Sequence, residues 1–189
     1  QIELTTTPFF HPILPLVIDT DITRRARPDL PLPARFRAQE DAEAQLREAV
    51  LFHQHTFGQP PSGLWPSEGS VCPEMLPLVH QVGLRWLATD EGILARSLAM
   101  GGQPWQRSSA LYQPYHIGEA GQSLAILFRD REISDAFGFV YHKTTPEAAA
   151  EDVTRRLRGI IQDSPQERLL IAIVLDGENP WEHYHDGGE

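Results

Sequence analysis

The residues of this 189-residue chain that could do chemistry lie where predicted strands end. Glu68 follows the short apolar pair Leu64 and Trp65, and Asp176 follows the long apolar run 169–175. In a parallel sheet or barrel the carboxyl ends of all strands lie on one face, and active sites collect there. Two facing carboxylates suit hydrolysis of a glycosidic bond, because one attacks or stabilises the anomeric carbon and the other protonates the leaving oxygen.

The other predicted strand ends also carry ionisable side chains, whereas the opposite loops begin with glycine or with polar residues that are not acidic. The strand-end residues are His11, Asp90, Glu91, Arg129 and Asp130, and the glycines are Gly63, Gly83 and Gly121. Charged loops are common in α/β proteins, so this asymmetry alone leaves a surface role open. Glu91 also ends a strand and rivals Glu68 as a nucleophile. Aromatic residues that could stack on sugar rings are Trp65, Trp181, Tyr112, Tyr115 and Tyr184.

Apolar periodicity predicts the elements that must position these side chains. Strands are expected over 2–6, 64–65, 85–90, 123–128 and 169–175. Helices are expected over 40–57, from 73 to a stop at 83, over 92–98, around 133–140, and after a capping box at 144–147. Residues 8–15, 20–38 and 101–109 read as loops, and 111–115 as an extended piece. The alternation of nearly continuous apolar strands with helices predicts an α/β fold with a parallel sheet, in a single domain.

The bulk composition excludes several classes of partner. The net charge is −10 and the pI is near 5.2, which argues against nucleic acid and anionic membranes, since both attract basic patches. The single Cys72 rules out an internal disulfide. The sequence contains neither a signal peptide nor a bilayer-length apolar run, so a cytoplasmic protein is expected. The chain begins without Met, which suggests a piece excised from a longer protein.

Three stretches in order give the sequence a specific resemblance. They are LTTTPFFHPILPL at 4–16, GLWPSE at 63–68 running on to CPE at 72–74, and VLDGENPWE at 174–182. They resemble the second, third and fourth motifs of glycoside hydrolase family 57, which acts on α-glucans. WLATDE at 86–91, FRD at 128–130 and SDAFG at 134–138 resemble its amylopullulanase-like branch. The family's first motif, its fifth motif and its C-terminal helical region have no counterpart here.

This resemblance implies a fold and a set of roles. The family fold is an incomplete TIM-like (β/α)7 barrel, of which residues 1–189 would supply about five strands, with the first and last parts missing. Glu68 would be the nucleophile and Asp176 the general acid/base of a retaining enzyme, with carboxylates about 5–7 Å apart. The resemblance implies an α-glucan or maltooligosaccharide substrate and no metal or cofactor. The expected substrate-binding residues are His11, Trp65, Asp90, Glu91, Arg129, Asp130 and Trp181, and Arg129 is expected to keep Glu68 ionised.

Two other functions stay open at this point. A metal-dependent polysaccharide deacetylase would use a strand-end aspartate and histidines, with His11 as a metal ligand. A non-catalytic glucan-binding or structural fragment is the third reading, although both Glu68 and Asp176 are present. His53 and His55 are two residues apart on a predicted helix, so they point away from each other and make a poor metal clamp. Linkage specificity, the choice of water or sugar as acceptor, and the oligomeric state cannot be derived from the sequence.

Overall fold

The structure is a computed structural model that describes residues 2–118, 121, 123–175, 177, 181–185 and 187. The chain forms two compact units. The first unit comprises Gln1–Thr89 and Tyr115–Leu127, and the second comprises Asp90–Pro114 and Phe128–Glu189. The expectation that 1–189 is one domain stays a prediction.

Short and long helices account for most of the regular structure. The helices are α1 (Leu14–Ile18), α2 (Thr23–Ala26), α3 (Gln39–Phe57), α4 (Leu76–Gln81), α5 (Glu91–Met100), α6 (Arg107–Ala110), α7 (Arg131–Phe139) and α8 (Pro146–Asp163). The strands are β1 (Gly63–Leu64), β2 (Trp86–Asp90), β3 (Tyr115–Ile117) and β4 (Leu124–Arg129). Short 3-10 turns lie at Thr20–Ile22, Ser67–Gly69, Pro73–Met75 and Tyr141–Lys143.

The described strands form one open, mixed sheet in the order β1-β2-β4-β3. Strand β1 runs parallel to β2, with Gly63 opposite Trp86, whereas β3 runs antiparallel to β4, with His116 opposite Ala125. The predicted α/β class is confirmed, but the expectation of parallel strands throughout is wrong. Only residues 118–123 separate β3 from β4, and a connection that short joins antiparallel neighbours, since a parallel pair needs a crossover of a dozen or more residues. Among the described residues the sheet does not close into a barrel.

Two predicted strands form only single bridges. Residues 2–6 pair at Thr6 alone, opposite Leu64, and Ile2 is 87% exposed, so the alternation in this stretch buries nothing at its start. Run 169–175 pairs at Ala172 alone, opposite Arg129. Its backbone hydrogen bonds go to separate partners, since Leu170 donates to the Tyr112 carbonyl and Val174 donates to the Ser134 hydroxyl. A regular ladder needs one continuous partner strand, so this hydrophobic run stays irregular.

Helix α3 is the largest element of the first unit and follows its predicted pattern. Ala42, Leu46, Ala49 and His53 are buried, and the helix packs against α1 and α4. The helix ends at Gly58, which adopts φ +78°, a left-handed conformation that glycine takes without a steric penalty. Phe57, in the last turn of the helix, is 51% exposed.

The second unit is built on α5, α7 and α8. Thr145, rather than Thr144, caps α8, with its hydroxyl accepting from the Ala148 N–H. No residue of α8 is fully buried, and Ile161 is 62% exposed. Three predicted irregular stretches also differ: 20–38 contains the short helix α2, 101–109 runs into α6, and the extended backbone begins at Tyr115 rather than at Leu111. In the part of the chain that the structure describes, no helix has the length and hydropathy to cross a membrane.

The β1–β2 pairing predicts a strong steric effect at Gly63. A Cβ at this position would lie 2.2 Å from Cε2 and Cζ2 of Trp86. The Trp86 ring is held by a hydrogen bond from its Nε1 to Glu3 Oε1 of 3.0 Å, so it cannot move aside freely. We expect Gly63→Ala to lower the free energy of unfolding by about 1–3 kcal/mol, measured by thermal and urea unfolding.

Gly159→Ala is the matched control, because a Cβ there, in the interior of α8, meets no atom within 4 Å. This variant should be neutral or more stable by about 0.5–1 kcal/mol, since alanine is the better helix former. Equal unfolding midpoints for the two variants would contradict the close approach of Trp86 to Gly63.

Candidate active site

Two residues of the first unit adopt a backbone conformation that side chains other than glycine rarely take. Glu68 has φ +58° and His11 has φ +55°, and both lie in the left-handed region. They are the described residues other than glycine with positive φ. Such strain costs on the order of 1–3 kcal/mol per residue and clusters at functional sites. The two strained residues are also neighbours in space, and together they form the candidate active site.

The His11 ring faces the Glu68 carboxylate. His11 Nε2 lies 3.8 Å from Glu68 Oε1, and the other ring nitrogen, Nδ1, lies 3.0 Å from the Thr7 hydroxyl. The Glu68 side chain is 62% exposed, whereas that of His11 is 25% exposed. Thr7 therefore holds the orientation of the ring, and the carboxylate is accessible to a ligand from solvent.

The backbone around Glu68 forms a tight turn with a buried base. The Gly69 N–H donates to the Pro66 carbonyl and the Ser70 N–H to the Ser67 carbonyl. The Thr89 hydroxyl, buried on β2, donates to the Gly69 carbonyl at 2.5 Å. These bonds explain how the turn keeps Glu68 in its strained conformation and exposed.

Gly69 and Trp65 lie in contact beneath the same turn. Gly69 has φ +63°, and a Cβ there would lie 3.1 Å from Cη2 of Trp65. The indole of Trp65, a predicted sugar contact, is partly buried and packs against Gly69.

Cys72 and Glu74, four and six residues after Glu68, have structural surroundings. Burial raises the pKa of the Cys72 thiol to about 11, so the thiol stays protonated at neutral pH. Glu74 accepts both Arg25 Nη1, at 2.9 Å, and Arg25 Nη2, at 2.5 Å. This pairing lowers the pKa of the Glu74 carboxyl. Cys72 is a buried residue, 5% exposed.

In the second unit, Asp90 caps the start of helix α5. Its Oδ1 accepts the Gly92 N–H at 2.8 Å, and its Oδ2 accepts Arg129 Nε at 2.9 Å. Arg131 also forms an ion pair with this carboxylate. Burial alone would raise the pKa of Asp90, but the hydrogen bonds from Arg131, Gly92 and Arg129 outweigh it and hold the pKa below its usual value.

Arg107 joins two more of the predicted site residues in one buried cluster. Its Nε lies 2.7 Å from Glu91 Oε2, and its Nη2 lies 2.7 Å from Asp130 Oδ1. Asp130 is 1% exposed, and it also accepts the Tyr112 hydroxyl at 3.0 Å and the Ile133 N–H at the start of α7. Burial and the Asp130 charge raise the pKa of Tyr112. Glu91 and Asp130 are thus saturated by protein donors.

The remaining predicted residues are placed as follows. Arg129 Nη1 contacts Asp135 at 2.9 Å in addition to its bond to Asp90, and its expected effect on Glu68 stays a prediction. Trp181 is 40% exposed and stacks edge-on with Tyr184, with ring centroids 5.4 Å apart. Asp176 lies outside the described residues, so its separation from Glu68 also stays a prediction.

Sequence reasoning missed Arg107, and it assigned Tyr112 to sugar stacking although the ring is buried. No local sequence pattern indicates a role for Arg107, because it lies in a predicted loop and its partner Asp130 is 23 residues away. In the described ranges, no group of three or more His, Cys, Asp or Glu side chains is arranged to hold a metal ion. The deacetylase reading, with His11 as a metal ligand, stays a hypothesis.

Comparison with family sequence profiles identifies one family. The sequence profile of glycosyl hydrolase family 57 matches residues 1–189. The crystal structure of a 4-alpha-glucanotransferase from Thermococcus litoralis is similar with a TM-score of 0.59 at 16% identity, covering 94% of this chain and 22% of that chain. That of a GH57-type branching enzyme from the hyperthermophilic archaeon Pyrococcus horikoshii gives 0.58 at 16% identity, covering 98% and 39%. Curated protein sequences give no match.

At these identities the structural likeness establishes the fold, and this chain spans about a fifth and two fifths of the length of those two proteins. The match of the family profile extends over the whole sequence and agrees with the motifs around His11 and Glu68. The chain belongs to glycosyl hydrolase family 57.

Proposed function

We propose that this chain is part of the catalytic domain of a retaining enzyme acting on α-glucans, of the amylopullulanase-like branch, with Glu68 as nucleophile and Asp176 as general acid/base. The observation that carries the proposal is the exposed Glu68 carboxylate, held in a left-handed conformation opposite the His11 ring in a chain of family 57. The solved relatives named as a glucanotransferase and a branching enzyme support an α-glucan substrate.

The reaction proceeds by two displacements at the anomeric carbon. A Glu68 oxygen forms a bond to that carbon while the glycosidic bond breaks, and Asp176 gives its proton to the leaving oxygen. Asp176 then takes a proton from water or from a sugar hydroxyl, whose oxygen attacks the same carbon and releases Glu68. Two inversions give net retention of configuration.

His11 orients the reacting groups beside Glu68. If the Thr7 hydroxyl donates to Nδ1, the ring proton resides on Nε2, on the side of Glu68. The 3.8 Å gap between Nε2 and Oε1 is longer than a hydrogen bond, so a sugar hydroxyl can approach both atoms. Trp65, which packs under the turn, and Trp181, whose ring is partly exposed, are the proposed sugar contacts.

Glu68 is the better nucleophile than Glu91 because of their partners. Glu91 is 12% exposed at its side chain, and both of its oxygens accept hydrogen bonds from Arg107. Attack on a sugar would break this buried pairing. We propose that Glu91, Asp130 and Asp90 position the strand ends and the first turns of the helices in the second unit. Arg129 contributes by holding the Asp90 carboxylate in place through a hydrogen bond.

Replacing the nucleophile should abolish turnover. We expect Glu68→Gln in the full-length protein to lower kcat on maltooligosaccharides by a thousandfold or more, the order of loss seen when a nucleophile is removed. The measurement is reducing-end release together with transfer to a labelled acceptor sugar.

Glu74→Gln is the matched control, because it makes the same chemical change six residues away at an ion pair with Arg25. It should retain kcat within a few-fold. Wild-type protein that is inactive on every α-glucan, or full activity in Glu68→Gln, would refute the proposed function.

The contact between Thr7 and His11 predicts a smaller effect. Thr7→Val keeps the shape of the side chain but removes the hydroxyl that orients Nδ1, so kcat/KM should fall roughly 3- to 10-fold, as expected for one hydrogen bond. Thr5→Val alters an exposed threonine two residues earlier and should leave kcat/KM unchanged. Identical kinetics for both variants would show that Thr7 does not orient the ring.

Because Glu91 pairs with Arg107, we expect its replacement to lower the stability of the protein without lowering its catalytic rate. Glu91→Gln removes one of the two carboxylates that pair with Arg107, while Asp130 stays in place, and should lower the free energy of unfolding by about 1.5–3 kcal/mol. Glu132→Gln, at a carboxylate that is 67% exposed, should cost at most about 1 kcal/mol. Rate constants corrected for the folded fraction should match wild type in both, and a thousandfold loss of kcat in Glu91→Gln would make Glu91 the nucleophile instead.

A further inference from the structure

A turn that precedes the strained corner presents two phenylalanines to solvent. The His11 N–H donates to the Pro8 carbonyl at 2.8 Å, so Phe9 and Phe10 are the central residues of a tight turn. Turn centres favour Gly, Pro, Asn, Asp and Ser, whose side chains satisfy or permit the turn geometry. Two adjacent phenylalanines break this local preference, and such breaks are expected at functional sites.

The turn is held in place by helix α3. The Phe9 N–H donates to the Gln45 carbonyl at 3.2 Å, and the Phe10 N–H donates to Gln45 Oε1 at 2.8 Å. One residue of α3 thus satisfies both N–H groups of the turn centre. The hydrogen bonds to Gln45 therefore fix the backbone of the turn, and this backbone holds the two rings on the surface.

A third ring extends the apolar surface. Phe52, on α3, meets Phe9 edge-on with centroids 5.6 Å apart, and Phe9 meets Phe10 edge-on at 4.7 Å. Phe10 is 78% exposed, Phe52 is 58% exposed and Phe9 is 37% exposed. We call these three residues the phenylalanine platform. Contiguous exposed apolar surface of this kind marks a binding surface more often than a solitary exposed ring does.

The platform adjoins the candidate active site along the chain. Phe10 is bonded to His11, whose imidazole lies 3.8 Å from the Glu68 carboxylate. The three side chains carry no charge, so they select a neutral ligand with an apolar face. A glucosyl unit has such a face, because its ring C–H groups project together on one side and can lie against an aromatic ring.

We propose that the phenylalanine platform is a subsite of the α-glucan chain, next to the glucosyl unit that reacts at Glu68. This inference rests on the proposed function. The platform binds a sugar ring that is not itself cleaved, and so it makes the enzyme prefer longer oligosaccharides. Phe10, the most exposed ring, provides the main contact, and Phe9 and Phe52 support it from the side.

The test compares substrates of different length in the full-length protein. Phe10→Ala should raise KM for maltoheptaose roughly 3- to 10-fold, the size of one aromatic contact, and change kcat by less than about twofold. KM for a short aryl maltoside should change less than about twofold. In the inactive Glu68→Gln background, Phe10→Ala should weaken the calorimetric Kd for maltoheptaose by the same factor.

Two controls separate ring contact from general damage. Phe10→Tyr keeps the ring and should keep KM for maltoheptaose within about twofold of wild type. Phe36→Ala removes a phenylalanine of the same unit that is 51% exposed and should leave all parameters unchanged.

The outcomes distinguish this proposal from the proposed function. Activity that depends on Glu68, with maltoheptaose kinetics equal in Phe10→Ala and Phe36→Ala, overturns the subsite alone. Wild-type protein without activity on any α-glucan overturns both. A wild-type oligomer that Phe10→Ala converts to a smaller species in sedimentation, with unchanged maltoheptaose affinity, identifies the platform as a protein interface and also overturns the subsite.

Discussion

Aspartates that end a strand and cap the following helix determine how the second unit is built. The first N–H groups of a helix have no partner within it, and a carboxylate satisfies them while balancing the positive end of the helix dipole. Asp90 does this for α5, and Asp130 does it for α7. Each also neutralises arginines, so the helix starts, the strand ends and the buried charges depend on the same few contacts.

Helix capping gives a second explanation for the acidic residues at the strand ends. A helix cap and a catalytic carboxylate occupy the same place in an α/β unit, so sequence position alone cannot separate them. Their partners separate them: Asp130 is buried with Arg107 and Tyr112, whereas Glu68 is exposed opposite His11. Only the surrounding GLWPSE motif distinguished Glu68 in the sequence. Arg107 could not be foreseen, because nothing local in its loop reflects a partner 23 residues away.

The helices and the central strands were predictable because their signals are local. The apolar spacing of α3 and the continuous apolar run of β4 each determine an element without reference to the rest of the chain. Strand pairing depends on two segments at once, so the pattern within one segment cannot predict it. The prediction of a regular strand over 169–175 was wrong for this reason. Run 169–175 has the composition of a core strand, yet its backbone bonds are divided between Tyr112, Asp130 and Ser134, and only Ala172 forms a bridge. The hydrophobicity of this run predicts neither its partner nor full burial, since Leu170 and Ile173 are each 39% exposed.

The buried thiol of Cys72, four residues after Glu68, has a chemical consequence. Burial raises the pKa of Cys72 to about 11, so the thiol stays protonated at pH 7, and the thiolate is the form that alkylating agents and peroxides attack. Little reactive thiolate is therefore present at pH 7 beside the carboxylates of the turn that carries Glu68. Because Cys72 is the single cysteine of the 189 residues, thiol-directed reagents modify the folded chain slowly.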